Sequence, residues 1–111
     1  MAGKFELFSD ARGEFRYRLK AANGEVILTG QGYKSRAACD NGVASVQKNA
    51  ADVARYERKQ ANNGKHYFVL KSANHQVIGQ SQMYADTKSM EAGIKSVVSN
   101  GPSARIEDQT G

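Results

Sequence analysis

Two histidines, one cysteine, two recurring glutamates and a short basic stripe are the residues in this chain that could carry chemistry. The chain is written twice at a 51-residue step, so each candidate can be compared with its counterpart. Cys39 is the only thiol, and no intramolecular disulfide can form. A nucleophilic cysteine needs an exposed, electropositive setting. Cys39 instead falls on the apolar stripe of a helix, where the other copy carries Met90, and reads as a small core hydrophobe. His66 and His75 stand nine apart on a strand and a turn, far from any cysteine. Zinc needs three or four ligands at short spacing, so no metal site is expected. His66 replaces Phe15 and reads as a partly buried strand residue, His75 as a solvated turn residue. Glu6 and Glu57 recur at a strand position that reads as exposed. Gly30-Gln31-Gly32 lacks the Lys-Ser/Thr of a phosphate loop and becomes Ser81-Gln82-Met83 in the second copy. No nucleophile sits beside a base, and no carboxylate pair recurs near a histidine. The expectation is a protein that is not an enzyme and holds no cofactor.

The basic stripe is Arg16, Arg18 and Lys20, alternate residues on one strand face. Three cations in line could hold a phosphate backbone. Charge runs are more often a solvated face. The second copy has Tyr67, Val69 and Lys71 at these positions. Apolar groups beside a basic stripe would suit a partner or ligand, unless Arg and Lys stems from neighbouring strands cover them. These six residues are the candidate surface.

The elements that place them follow from the repeat. Residues 4–49 align with 55–100 without a gap, and 14 of the 46 positions are identical. Phe5-Glu6-Leu7-Phe8 reads as a short strand. Glu14 to Ala21 alternates, with Phe15, Tyr17, Leu19 and Ala21 on the buried side. Asn23-Gly24 marks a hairpin into Val26–Thr29. A two-residue turn would set Lys20 opposite Ile27; a bulged three-residue loop would set Leu19 there. In the second copy Asn74-His75 makes the same turn less comfortably. Ser35 and Asp86 suit helix N-caps. Cys39, Val43 and Val46, and Met90, Ile94 and Val97, form matching apolar stripes. Gly42 and Gly93 recur inside these helices, which implies a neighbour too close for a Cβ. Tyr33 and Tyr84 recur as rings expected to be buried with a bonded hydroxyl. Asn49 and Asn100 are expected to close the helices as C-caps. Ala54-Arg55-Tyr56-Glu57 and Ala104-Arg105-Ile106-Glu107 then read as a short strand after each helix.

The recurring Leu-Lys-x-Ala-Asn-x-x-Val-Ile, the tyrosine downstream and the Gly-Val/Ile-x-Ser-Val helix segments resemble the bacterial YegP-like family, over about residues 4–107. The resemblance implies one antiparallel sheet built from tandem or dimeric units that exchange their C-terminal strands. It implies no activity. His75 departs from the motif, which usually has Gly there.

At 111 residues the chain is long enough for one core, whereas about 50 residues alone would be marginal. No apolar run could span a bilayer, and Met1 to Glu6 lacks the apolar core of a secretory signal, so a cytoplasmic protein is expected. The net charge of +5 is shared between the copies. The fold expected is α+β: two tandem β-β-β-α-β repeats in one mainly antiparallel sheet, two helices on one face, C-terminal strands exchanged. The single fused domain spans 1–111, with repeats at 4–57 and 55–107 sharing the junction strand, and a frayed tail at 108–111. Because the copies pair with each other, a monomer is expected. The function expected is a non-enzymatic binding or accessory module of unknown ligand, with no membrane role. The alternative is a weak electrostatic nucleic-acid binder using the basic face.

Overall fold

The structure, a computed structural model, describes residues 3–109. The elements are β1 (Lys4–Ser9), β2 (Phe15–Lys20), β3 (Val26–Thr29), α1 (Arg36–Asn49), β4 (Tyr56–Gln60), β5 (His66–Lys71), β6 (Val77–Gln80), α2 (Thr87–Asn100) and β7 (Arg105–Asp108). All seven strands join one sheet in the order β4-β5-β6-β3-β2-β1-β7. Every pairing is antiparallel except β1 with β7. The two helices pack on one face, over a core of Phe5, Leu7, Tyr17, Leu19, Phe68 and Leu70.

The strand after each helix crosses to the other repeat. β4 follows α1 and pairs with β5; β7 follows α2 and pairs with β1. By the 51-residue step β1 corresponds to β4, so β1 fills the place beside β2 that β4 fills beside β5. β7 therefore lies one place further out, parallel to β1. The two halves of the sheet are unequal for this reason. The strand also reaches further than expected. Asp108 pairs with Leu7, and the Gln109 N–H donates to the Leu7 carbonyl at 2.7 Å, so the tail is tied through Gln109. The rest of the expected frayed tail, 110–111, lies outside the described residues.

One turn is used four times. In Asp10–Gly13, Ala21–Gly24, Ala61–Gly64 and Ser72–His75 the last N–H bonds back to the first carbonyl at 2.9–3.0 Å. The closing residue has positive φ: 82° at Gly13, 86° at Gly24, 84° at Gly64 and 69° at His75. The three-residue loop is thus the one formed, and Lys20 faces Val26. A bulge then skips Ile27 and sets Leu19 against Leu28, so the pairing passes from the register of the three-residue loop to that of the two-residue turn. The second copy repeats it, with Lys71 on Val77 and Leu70 on Gly79. His75 is the one non-glycine residue with positive φ among those described. A left-handed L-residue costs about 1 kcal/mol. His75→Gly is therefore expected to raise the unfolding free energy by about 0.5–1 kcal/mol in urea; an unchanged midpoint would contradict the strain.

Two recurring pairs explain each other. A Cβ on Gly42 would overlap the Tyr33 hydroxyl and lie 2.8 Å from its ring Cζ. Gly93 meets Tyr84 in the same way. Tyr84 is stacked on Phe68, ring centroids 6.4 Å apart. Both tyrosines are half-buried rather than buried, and they recur because a helix backbone rests on them. The caps form as expected, with Ser35 Oγ accepting the Ala38 N–H at 3.1 Å and Asp86 Oδ1 that of Ser89 at 2.8 Å. Asn49 and Asn100 do not act as left-handed C-caps. Each is the last helical residue, and its amide donates to the carbonyl four residues back, Ser45 or Ser96, at 2.8 Å. The equivalent residues Ala50 and Gly101 follow, and a Cβ on Gly101 would lie 2.7 Å from that of Ala50. The helix ends therefore meet at the pseudo-twofold.

Candidate functional site

The helix-free face of the sheet carries the six residues singled out in the sequence. Tyr17 and Leu19 turn into the core, so Arg16, Arg18 and Lys20 turn away from the helices, each half-buried. Their charges are already matched. Arg16 Nε donates to Asp10 Oδ2 at 2.8 Å. Arg18 Nε donates to Glu6 Oε1 at 2.6 Å, and Lys20 Nζ lies 3.2 Å from the same oxygen. Lys4 Nζ is 3.4 Å from Glu6 Oε2 and 3.3 Å from Glu107. Arg18 also lies over the Phe8 ring, 4.6 Å from its centroid.

Glu6, expected to be exposed, is only 3% exposed. β7 pairs beside it, with Glu107 opposite Glu6, and Gln109 Nε2 reaches Glu6 Oε2 at 3.4 Å. The Arg18 guanidinium, opposed by burial and helped by Lys20, holds the Glu6 carboxyl down at about 2. Its counterpart Glu57 stands on β4, at an open edge, and stays exposed. Lys71 lies 3.0 Å from Glu57 and, with Lys59, keeps that carboxyl below its usual value. Val69 is 4% exposed and offers little contact surface; Tyr67 and Lys71 are half-buried.

The structure also places the other candidates. Cys39 is fully buried, and burial pushes its thiol up. His75 is exposed on its turn, and His66 is half-buried on β5. A hollow of about 160 Å³ does bring His75 to one wall with Glu57 and Lys71. It is too small for an ordinary substrate pocket, which runs to several hundred Å³. Among the described residues no three His, Cys, Asp or Glu side chains gather as metal ligands. No described helix is long and apolar enough to cross a membrane.

One further concavity lies outside the residues singled out in the sequence. It is an open cleft of about 780 Å³ between α1 of the first copy and the β5–β6 hairpin of the second. From α1 come Asn41, Ser45 and Lys48, one helical turn apart, with Tyr33 at the end of the cleft. From the hairpin come Asn74 and Gln76, over an apolar floor of Val77 and Ile78. Val77 is 47% exposed, one of few large apolar side chains left open. Burial and the nearby Cys39 thiol raise the Tyr33 hydroxyl, against a hydrogen bond with Gln31. Among the described residues no carboxylate lines the cleft, and Lys48 is its one charged side chain. Asn41, Lys48 and Gln76 make no side-chain hydrogen bond or ion pair among the described residues. The candidate cations of the sheet face are thus paired, whereas these three side chains of the cleft have no partner among the described residues.

The two halves that build this cleft are also the two halves that match a known family. The family described as a domain of unknown function, DUF1508, matches residues 10–57 and again 61–108. The chain belongs to that family. Each DUF1508 match runs from a hairpin turn into the strand after the helix, the first ending within β4 and the second at the end of β7, and β1 precedes the first. A UPF0339 protein of Acinetobacter baylyi is 54% identical over 111 residues, covering 100% of both chains. The solution NMR structure of YegP, a protein of unknown function from E. coli, is similar with a TM-score of 0.94 and 53% identity, covering 100% of this chain and 96% of that one. That of a UPF0339 protein from Shewanella oneidensis gives 0.92 and 48%, covering 99% and 93%. The YegP-like resemblance and the α+β fold with exchanged strands therefore stand. Neither the DUF1508 description nor the names of these relatives carries an activity.

Proposed function

We propose that this DUF1508 protein is a non-enzymatic binding module for a small molecule, working as a monomer, with its site in the cleft between α1 and the β5–β6 hairpin. The observation that carries the reading is the contrast in polar groups. On the sheet face each candidate cation has a carboxylate, whereas Asn41, Lys48 and Gln76 line a concave surface, exposed to solvent and without a partner among the described residues. Pockets that bind small ligands combine an apolar floor with a few such groups, at volumes of roughly 300–1,000 Å³. The test is equilibrium dialysis of a bacterial small-molecule extract against the full chain and against Asn41→Trp. Asn41 is exposed, so the tryptophan fills the cleft without entering the core. Compounds retained by the parent and lost from the variant support the reading. Equal retention by both, or none by either, sinks it.

The second reading, nucleic-acid binding through Arg16, Arg18, Lys20, Tyr67, Val69 and Lys71, is favoured by the number of cations on one uncovered face. Ion pairing weakens it, because a phosphate must compete with Glu6, Asp10 and Glu57 for each of them. Arg18 is unsuited to mutation here, since its loss strips buried Glu6 of its closest partner. Arg16→Gln with Lys71→Gln leaves Glu6 untouched. If nucleic acid binds this face, that pair must lower affinity at least about tenfold at low salt, with the salt slope reduced by about 2. Binding indifferent to both would exclude it.

A further inference from the structure

We infer that the cleft takes a small organic anion, with one carboxylate on a body that carries hydroxyl or amide groups. This rests on the binding-module reading above and names its ligand class. Lys48 sets the sign, since among the described residues it is the only charged side chain lining the cleft. A lysine ammonium is a compact point charge that suits one carboxylate. A single cation matches a single negative charge and leaves a second one uncompensated. The carboxamides set the body, because each both donates and accepts. Gln31, Asn41 and Gln76 are exposed and placed to meet hydroxyls or amides, while Val77 and Ile78 offer a surface for carbon.

The repeat supplies an internal control. Most cleft positions read the same in both copies, including Tyr33/Tyr84, Ser45/Ser96 and Val77/Val26. The three unmatched polar groups differ: Asn41 becomes Ala92, Lys48 becomes Ser99, and Gln76 becomes Glu25. The second copy forms the same helix, the same turn and the same Asn-to-Ser bond without them. The fold therefore does not require them. Lys48 does favour the carboxyl end of α1 electrostatically. Yet α2 ends with no basic residue in its last turn and is just as long. Glu25, at the place of Gln76, would repel the anion proposed here.

The test uses two pairs of probes matched in shape and differing in charge: D-gluconate with sorbitol, and N-acetylglutamine with its primary amide. Each is titrated into the labelled full chain and followed by amide chemical shifts. The carboxylate of at least one pair is expected to move Asn41, Ser45, Lys48 and Gln76, and to bind at least about tenfold more tightly than its neutral twin. Lys48→Gln is expected to erase that difference. Lys95→Gln, which removes the same charge from an exposed position on α2, is expected to leave it intact. Neutral twins that bind equally well, with no response to Lys48→Gln, would overturn the anion and leave the cleft as the site. No cleft shift from any of the four probes would overturn both the anion and the site.

Discussion

Replacing Gly30 with serine, the residue that the second copy carries at the same place, is expected to cost the fold about 3 kcal/mol. A Cβ on Gly30 would lie 2.6 Å from two carbons of the Tyr17 ring. That ring is almost wholly buried, and burial pushes its hydroxyl strongly up. It cannot tilt away, because its hydroxyl donates to the carbonyl of Ile78, across the boundary between the copies. The second copy has no such tether. There the ring is Phe68, and Ser81 accepts its N–H at 3.0 Å and donates to the Gln82 carbonyl at 2.8 Å. Tyr17→Phe alone strands the Ile78 carbonyl and is expected to cost about 1–2 kcal/mol. In the Gly30→Ser background it frees the ring, so the two costs should fall well short of additive. Urea unfolding of the two single variants and the double variant measures this. A Gly30→Ser protein as stable as the parent, or strict additivity, would contradict the tether. If Gly30→Ser does not fold, recovery of a cooperative transition in the double variant gives the same reading.

The second large effect is acid sensitivity centred on Glu6. Its carboxyl titrates at about 2 in the fold against 4.5 for the free group. A carboxylate whose folded value is depressed stabilises the fold fully above the unfolded value, and that contribution is lost as pH falls towards the folded one. The window is therefore pH 4.5 down to about 2. The difference corresponds to about 3 kcal/mol. Glu6→Gln keeps the shape and removes the charge. At pH 7 it is expected to be less stable than the parent by about 2–3 kcal/mol, and the gap is expected to close as the pH drops through this window. Moderate salt should change the gap little, because Glu6 is buried rather than in the solvent. A gap of the same size at pH 2.5 and pH 7 would show that the loss is one of packing and not of charge.

Most of the fold was legible in the sequence because the repeat supplied every element twice. The strands, the helices, both N-caps and a short strand after each helix follow from local pattern, and the exchange of those C-terminal strands was implied by the family resemblance. What escaped was set by neighbours distant in the chain. Glu6 and Glu57 look alike in sequence, and their fates differ because β7 covers one edge of the sheet and nothing covers the other. The reason for Gly42 and Tyr33 was hidden in the same way, since neither explains itself until the helix is seen resting on the ring. The bulge at Ile27 leaves no mark in the alternation. The cleft was missed for a different reason. Comparison of the copies points to what they share, whereas the unmatched groups of the cleft are what they do not share. Asn41 against Ala92 and Lys48 against Ser99, two exposed polar positions two turns apart on one helix face, were the signal available. The basic stripe drew attention because its charges are adjacent in sequence, and its carboxylate partners are not all so.

The measurement that bears most directly on the cleft as the site is amide shift mapping of the labelled full chain at low salt. It would be run once against a small-molecule mixture and once against short single- and double-stranded DNA and RNA. The account predicts shifts at Asn41, Ser45, Lys48, Asn74 and Gln76 with the small molecules, and little response to nucleic acid. Shifts confined to the strands of Arg16, Arg18, Lys20 and Tyr67, seen only with nucleic acid and erased by salt, would contradict it and move the site to the bare face of the sheet.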